Sequence, residues 1–205
     1  MISPKIFVPR AINKAIWIYH VLRSAIFYKF TFGEFGRRSL IINPILISNP
    51  HRIFVGNKVF VRNGARLEVV LDGKTENPRI SIGDNVSIEQ NVHIVCHCSV
   101  KIGANVSITA NCVIVDTEHP FDDVSSPIKV GARISTDPSF VEIGDGCFIG
   151  TGVCILPNVR IGEGCVIGSN SVVTKDIPPY SVAMGQPARV VRSRLDTVRP
   201  GAGHA

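Results

Sequence analysis

The sequence holds 205 residues, 45% hydrophobic and 19% charged, which supplies enough apolar side chain for one domain's core and excludes a chain too polar to fold. Its net charge of +6 favours acidic partners, phosphate-bearing molecules or an anionic membrane surface; nucleic acid is the weaker reading, because the basic residues are scattered without an aromatic stacking motif. The six cysteines read as reduced, small buried hydrophobes, which fits a reducing compartment.

In chain order, Pro9 to about Phe30 is expected to be an amphipathic helix. Proline suits a first turn, Ile12, Ile16, Val21, Leu22, Ala25 and Ile26 make an apolar stripe, and Gly33 is a stop signal. Its charge-free interior, Ala15 to Leu22, is far short of the roughly 20 apolar residues of a membrane span. The centre is also short for a cleaved signal and contains His20. Two uses compete for this helix. It covers the open end of a sheet, or residues 9–30 lie on a membrane surface through Trp17, Tyr19, Phe27, Tyr28 and Phe30, flanked by Arg10, Lys14, Arg23 and Lys29. Phe32 to Asn49 reads as a connector with strand character near Leu40 to Ile42.

Beyond it a period of six sets in. Val55, Val61 and Leu67 open it loosely; Ile82, Ile88 and Ile94, then Ile102, Ile108 and Ile114, repeat it. The strictest run is Ile143, Ile149, Ile155, Ile161, Ile167 and Val173, with glycine after four of the six. Cys147, Val153, Val159, Cys165, Ser171 and Ile177 fill the position four further on. Six matches neither a helix nor a strand, but short strands separated by sharp turns satisfy it, as in a hexapeptide parallel β-helix. Burying the strict run is worth roughly 9–18 kcal/mol as an upper bound. The step of eight from Ile94 to Ile102 predicts two extra residues at one corner, and Cys147 and Cys165 are predicted at the same corner of adjacent coils. The group His93, Cys96, His97 and Cys98 matches no zinc spacing, and neighbours on a strand point to opposite faces, so no metal is expected.

The rhythm breaks over about residues 116–140, predicting a protruding loop that carries His119; long loops inside regular solenoids are usually functional. Pro178 and Pro179 end the coil, a short strand follows at Ser181 to Met184, and the last dozen residues read as a disordered tail. The chain divides into residues 1–39 (helical cap and connector), 40–182 (β-helix) and 183–205 (C-terminal segment and tail).

The rungs, the loop with His119-Pro120, the run from Val172 to Pro179 and the closing Gly185-Gln186-Pro187-Ala188-Arg189-Val190-Val191-Arg192 together resemble the hexapeptide acyltransferases, in particular the galactoside, maltose and polysaccharide O-acetyltransferases. The likeness covers about residues 40–192. It implies an all-β fold, a left-handed parallel β-helix, where the general crossover rule would give right-handed coils. It also implies a cytoplasmic homotrimer with acetyl-CoA in the groove between neighbouring subunits, acetylating a sugar of a surface polysaccharide or its precursor. N-acetylation of an amino sugar and a non-catalytic trimeric scaffold are the alternatives.

Acetyl transfer from a thioester to a hydroxyl needs a base for the hydroxyl proton, a task that suits histidine, and His119 is the candidate. Resemblance places Asn111 in the acceptor pocket and beside the histidine. Asp116 could contact the acceptor or fix the imidazole tautomer; both residues also suit plain turn positions. For the cofactor, resemblance puts Thr151 and Ser169 along the pantetheine arm and Thr174 and Lys175 near the nucleotide. Phe148 stands where relatives often carry tryptophan, and Lys175, Arg189 and Arg192 suit the CoA phosphates.

Overall fold

Strands here last two to six residues, because a turn follows each short inward-facing stretch. The structure, a computed structural model, describes residues 10–73 and 75–197. Three sheets form the three faces of a parallel β-helix. The first stacks Glu34–Phe35, Ile53–Val55, Arg79–Ile82, Ser99–Ile102, Phe140–Ile143 and Val159–Ile161. The second stacks Leu40–Ile41, Phe60–Val61, Ser87–Ile88, Ser107–Ile108, Phe148–Ile149 and Val166–Ile167, then Ser181–Gly185 and Ala188–Ser193. The third stacks Leu46–Ser48, Arg66–Val69, His93–Cys96, Val113–Val115, Cys154–Ile155 and Val172–Val173.

The period of six becomes three vertical columns. On the second face Ile41, Val61, Ile88, Ile108, Ile149 and Ile167 pair in register, and all are buried. On the third, Ile47, Leu67, Ile94, Ile114, Ile155 and Val173 do the same, with only Ile47 partly exposed. Cys147 and Cys165 are neighbours at one corner, as their spacing predicts, and all six cysteines are free. Glycine follows the first-column residues because the coils approach closely there: a Cβ on Gly83 would lie 2.7 Å from the Gly103 carbonyl carbon. Corners need left-handed backbone, which asparagine tolerates. Asn85, Asn91, Asn105 and Asn111 take it at φ 56°–62°, and Asn85 donates to the Asn105 side-chain oxygen at 2.8 Å.

The first strand of the β-helix, Glu34–Phe35, lies just before the predicted boundary at residue 40. Phe35, Ile41 and Ile47 also recur every sixth position, so the stretch read as a connector is the first coil. Its aromatic first member heads the first-face column, in register with Val55, and packs against Tyr28 and Phe32 as well. At the other end, Ala188–Ser193 is an ordered strand pairing antiparallel with Ser181–Gly185, inside the segment read as a C-terminal appendage. The predicted disordered tail from residue 198 onward lies outside the described residues.

The N-terminal helix runs α-helically over Arg10–Leu22, widens to π-helical winding over Arg23–Tyr28 and ends at Lys29–Thr31. It covers the first coil. In a parallel strand alternate residues aim their amides at the open edge, and here that residue is Ile41. Its N–H donates to Ser24 Oγ at 3.2 Å and its carbonyl accepts from Arg23 Nη2 at 3.1 Å. His20, Ser24 and Tyr28 form the buried side. Among the described residues no helix is long and apolar enough to cross a membrane.

Burial, reinforced by the Arg23 charge, lowers the His20 pKa below its ordinary 6.5. The unfolded chain therefore takes up a proton below pH 6.5 that the folded chain resists, so His20 favours folding above that pH and disfavours it as acid is added. Urea midpoints measured between pH 7 and pH 5 are expected to fall, and to fall less in His20→Gln; equal slopes would refute the assignment.

Candidate active site

Insertions into this β-helix leave from one corner, between the third and first faces. Residues 70–78, the turn at 97–98 and residues 116–139 all emerge there, and each braces the next. The two-residue bulge predicted between Ile94 and Ile102 is the turn His97-Cys98, whose backbone amides need an acceptor. Asp116 supplies it. Its carboxylate accepts from the N–H of His97 at 2.5 Å, Cys98 at 2.8 Å and Ser99 at 2.6 Å, and its side chain is fully buried. This corrects the reading of Asp116 as a contact to the acceptor or the imidazole: both oxygens hold the turn one coil below. Burial, then the Asp116 charge, pushes the neighbouring Cys96 thiol up.

His97 is buried in turn, with Nε2 3.0 Å from Asp72 Oδ2 and 3.0 Å from Thr75 Oγ1, so it pins the 70–78 excursion to the corner. Cys98 Sγ lies 3.5 Å from His97 Nδ1. Among the described residues no three His, Cys, Asp or Glu side chains converge as metal ligands.

His119 is exposed on the long loop, and its Nδ1 lies 2.7 Å from the Arg133 carbonyl. A carbonyl oxygen only accepts, so Nδ1 carries the proton and Nε2 of the neutral ring keeps its lone pair. Sequence reasoning missed Arg133 altogether. Besides presenting that carbonyl, its guanidinium donates to the carbonyls of Ile128 at 2.7 Å, Asp123 at 2.8 Å, Ser126 at 3.4 Å and Pro120 at 3.5 Å. The loop is folded around this one side chain. The only signal in the sequence was an arginine within a stretch that has no rhythm.

Beside the loop lies a cleft of about 370 Å³, lined by His119, Thr117, Phe121, Pro157, Asn158 and Thr174 among others. That is within the range of small-molecule sites, and Thr117 Oγ1 in its wall is buried without a hydrogen-bond partner, a polar atom in want of a ligand.

The remaining candidates fall elsewhere on the chain. Asn111, Thr151 and Ser169 sit on successive coils at the corner between the second and third faces. Asn111, at φ 62°, accepts from the Asn91 side chain at 3.2 Å; Thr151 donates to Thr109 Oγ1 at 3.2 Å. Phe148 is half-exposed on the second face, between Ser107 and Val166. Arg189 and Arg192 are exposed on the final antiparallel strand, and Lys175 follows the last strand of the third face. The structure thus brings Thr174 to His119 and leaves Asn111, Thr151, Ser169 and Phe148 around another corner.

This architecture is the left-handed parallel β-helix of hexapeptide-repeat proteins. Residues 140–175 match the bacterial transferase hexapeptide (six repeats) family model. It is 42% identical over 117 residues to the galactoside O-acetyltransferase of Escherichia coli K12, covering 57% of this chain and 55% of that one. It is 39% identical over 132 residues to a putative acetyltransferase of Staphylococcus aureus strain COL, covering 57% and 66%. The chain spans about half the length of the curated relatives it matches. Among solved structures, a maltose O-acetyltransferase from Clostridium difficile 630 superposes with a TM-score of 0.51 at 27% identity, covering 88% of this chain and 83% of that one. An N-acyltransferase from Bacillus cereus, solved with dTDP and coenzyme A, shares the fold with a TM-score of 0.67 at 19% identity, covering 92% and 91%.

Asp116→Ala strands three corner amides, that of His97 buried and those of Cys98 and Ser99 partly so, and is expected to cost on the order of 3 kcal/mol in a urea titration. An unchanged midpoint would show that the carboxylate does not hold the turn.

Proposed function

We propose that the chain is an acetyltransferase that moves an acetyl group from acetyl-CoA to a sugar hydroxyl, with His119 as general base. The observation that carries this is the hydrogen bond from His119 Nδ1 to the Arg133 carbonyl, which leaves Nε2 as the proton acceptor in a cleft that has room for substrate. Similarity to the galactoside and maltose O-acetyltransferases supports the acceptor class, and a Vibrio cholerae hexapeptide acetyltransferase of the same fold was solved with acetyl-CoA. The bound thioester supplies the acetyl carbonyl: the acceptor oxygen bonds to its carbon, the carbon–sulfur bond breaks, and the CoA thiol leaves. His119 takes the hydroxyl proton as that bond forms and returns it to the departing sulfur. No covalent acetyl-enzyme is required.

The separation of His119 from Thr151, Ser169 and Phe148 on one chain favours a site completed between copies, with one chain's loop facing the next chain's corner in a homotrimer. In this reading Thr151 and Ser169 flank the pantetheine arm and Phe148 gives an aromatic wall. Thr174 and Lys175 stand toward the nucleotide, and Lys175, Arg189 and Arg192 offer cations to its phosphates. Asn111 lines the acceptor pocket from the same corner. The acceptor is a sugar of a surface polysaccharide or its precursor, and the six free cysteines fit the reducing cytoplasm where acetyl-CoA is made. An amino sugar is the second acceptor class, favoured by the fold shared with the Bacillus cereus N-acyltransferase. Mild alkali separates the two products, since it releases acetyl from an ester and leaves an amide.

His119→Ala is expected to lower turnover by about 10²–10⁴-fold. Acetyl-CoA affinity by calorimetry should stay near wild type, and retained turnover would remove His119 from the role. Arg133 acts as a positioning residue. Arg133→Ala, by letting the loop shift, is expected to cost about 10²-fold in kcat with little change in the donor KM. In a His119→Ala background the same change should cost almost nothing further. Additive losses in the double variant would show that Arg133 works independently of His119.

A further inference from the structure

The N-terminal helix buries little of its apolar surface. It meets the first coil through His20, Ser24 and Tyr28, while Ile12, Tyr19, Leu22, Ile26 and Phe30 on the far side are 49–83% exposed, and Ile18 and Phe27 stand out beside them. A cap needs only its inner side to satisfy Ile41; nothing in the capping role calls for large aliphatic and aromatic groups on the outer one. Soluble surfaces rarely gather such side chains into one patch without an interaction to make.

The charges beside that patch are of one sign. No aspartate or glutamate precedes Glu34, whereas Lys14, Lys29, Arg37 and Arg38 are exposed. Three of these, Lys29, Arg37 and Arg38, line a groove of about 410 Å³ alongside the helix together with Trp17 and Val21. A second cleft, of about 510 Å³, opens on the outer side between Tyr19, Leu22, Arg23, Ile26 and Phe27. Apolar side chains on the outside, an aromatic at the rim and a row of cations form the pattern that an anionic lipid interface complements, the helix lying in the plane of the surface. A second copy fits poorly, because it would set these cations against their own equivalents with no carboxylate on either helix to pair them.

We propose that the outer side of the N-terminal helix docks this protein on an anionic lipid surface, with Leu22, Ile26 and Phe30 entering the headgroup–acyl boundary and Lys29, Arg37 and Arg38 meeting lipid phosphates. The cap and the anchor are then opposite sides of one helix, so docking leaves its bonds to Ile41 in place. The site on the long loop plays no part in this, and the two readings stand or fall separately.

Co-sedimentation of the full chain with vesicles tests it. Vesicles of phosphatidylcholine with phosphatidylglycerol should bind at least tenfold more tightly than phosphatidylcholine alone, since each basic residue near an anionic surface contributes about fivefold, and raised salt should weaken that binding. Trp17, the single tryptophan, should shift its emission to the blue on the anionic vesicles. The pair Leu22→Glu and Ile26→Glu should abolish binding with the melting temperature unchanged. Should that pair unfold the chain, the surface variant Lys29→Gln, Arg37→Gln, Arg38→Gln should still lose the preference for anionic vesicles. Absence of binding, or equal and salt-insensitive binding to both vesicle types, overturns the proposal. So does a change of oligomeric size in the Leu22, Ile26 pair with vesicle binding intact, which would assign the face to a second copy.

Discussion

Each coil of this protein hydrogen-bonds to its neighbouring coils through main-chain groups that stack in register, and that constraint governs everything else. A residue inserted on a face would move all later side chains out of their columns. Extra chain is therefore tolerated only at corners, and here it accumulates at one of them. The long loop, the 70–78 excursion and the 97–98 turn lie above one another between the third and first faces. They form a continuous brace: Asp72 and Thr75 hold His97, the amides of the His97-Cys98-Ser99 turn hold Asp116, and Asp116 roots the loop that bears His119. A rigid scaffold thus extends its order outward to a segment that has no regular structure.

The same stacking explains why so much of the architecture was legible in the residues. A coil such as Ile102, Ile108 and Ile114 has no competing explanation, because six is foreign to both helix and strand, and the glycine after the first member marks where coils touch. The first coil escaped notice for a chemical reason. Phe35 belongs to an aromatic cluster with Tyr28 and Phe32, and an aromatic does not read as a member of an aliphatic column even though Gly36 follows it.

The site was legible in a different way. His119 stood out by residue type, and the structure gives it a tautomer suited to a base. Its orienting group could not have been found from side chains, because Arg133 contacts it through a main-chain oxygen. Asp116 misled because an acid three positions before a histidine looks like its partner. Its true partners lie 17 to 19 residues earlier in the chain and become neighbours only when the coils stack. Asn111, Thr151 and Ser169 share a corner for the same geometric reason that separates them from His119: positions in different thirds of the repeat point in different directions.

The final strand, Ala188–Ser193, runs against the direction of all the others in its sheet. A parallel solenoid whose last rung resembled its first would offer each copy a template on which to add another, end upon end. Reversing the terminal rung removes that template on one face, just as Ser24 and Arg23 occupy the groups of Ile41 at the opposite end. Among the described residues the second sheet is therefore closed to a further parallel rung at both ends, and its open surface is left to the flanks, where the long loop projects.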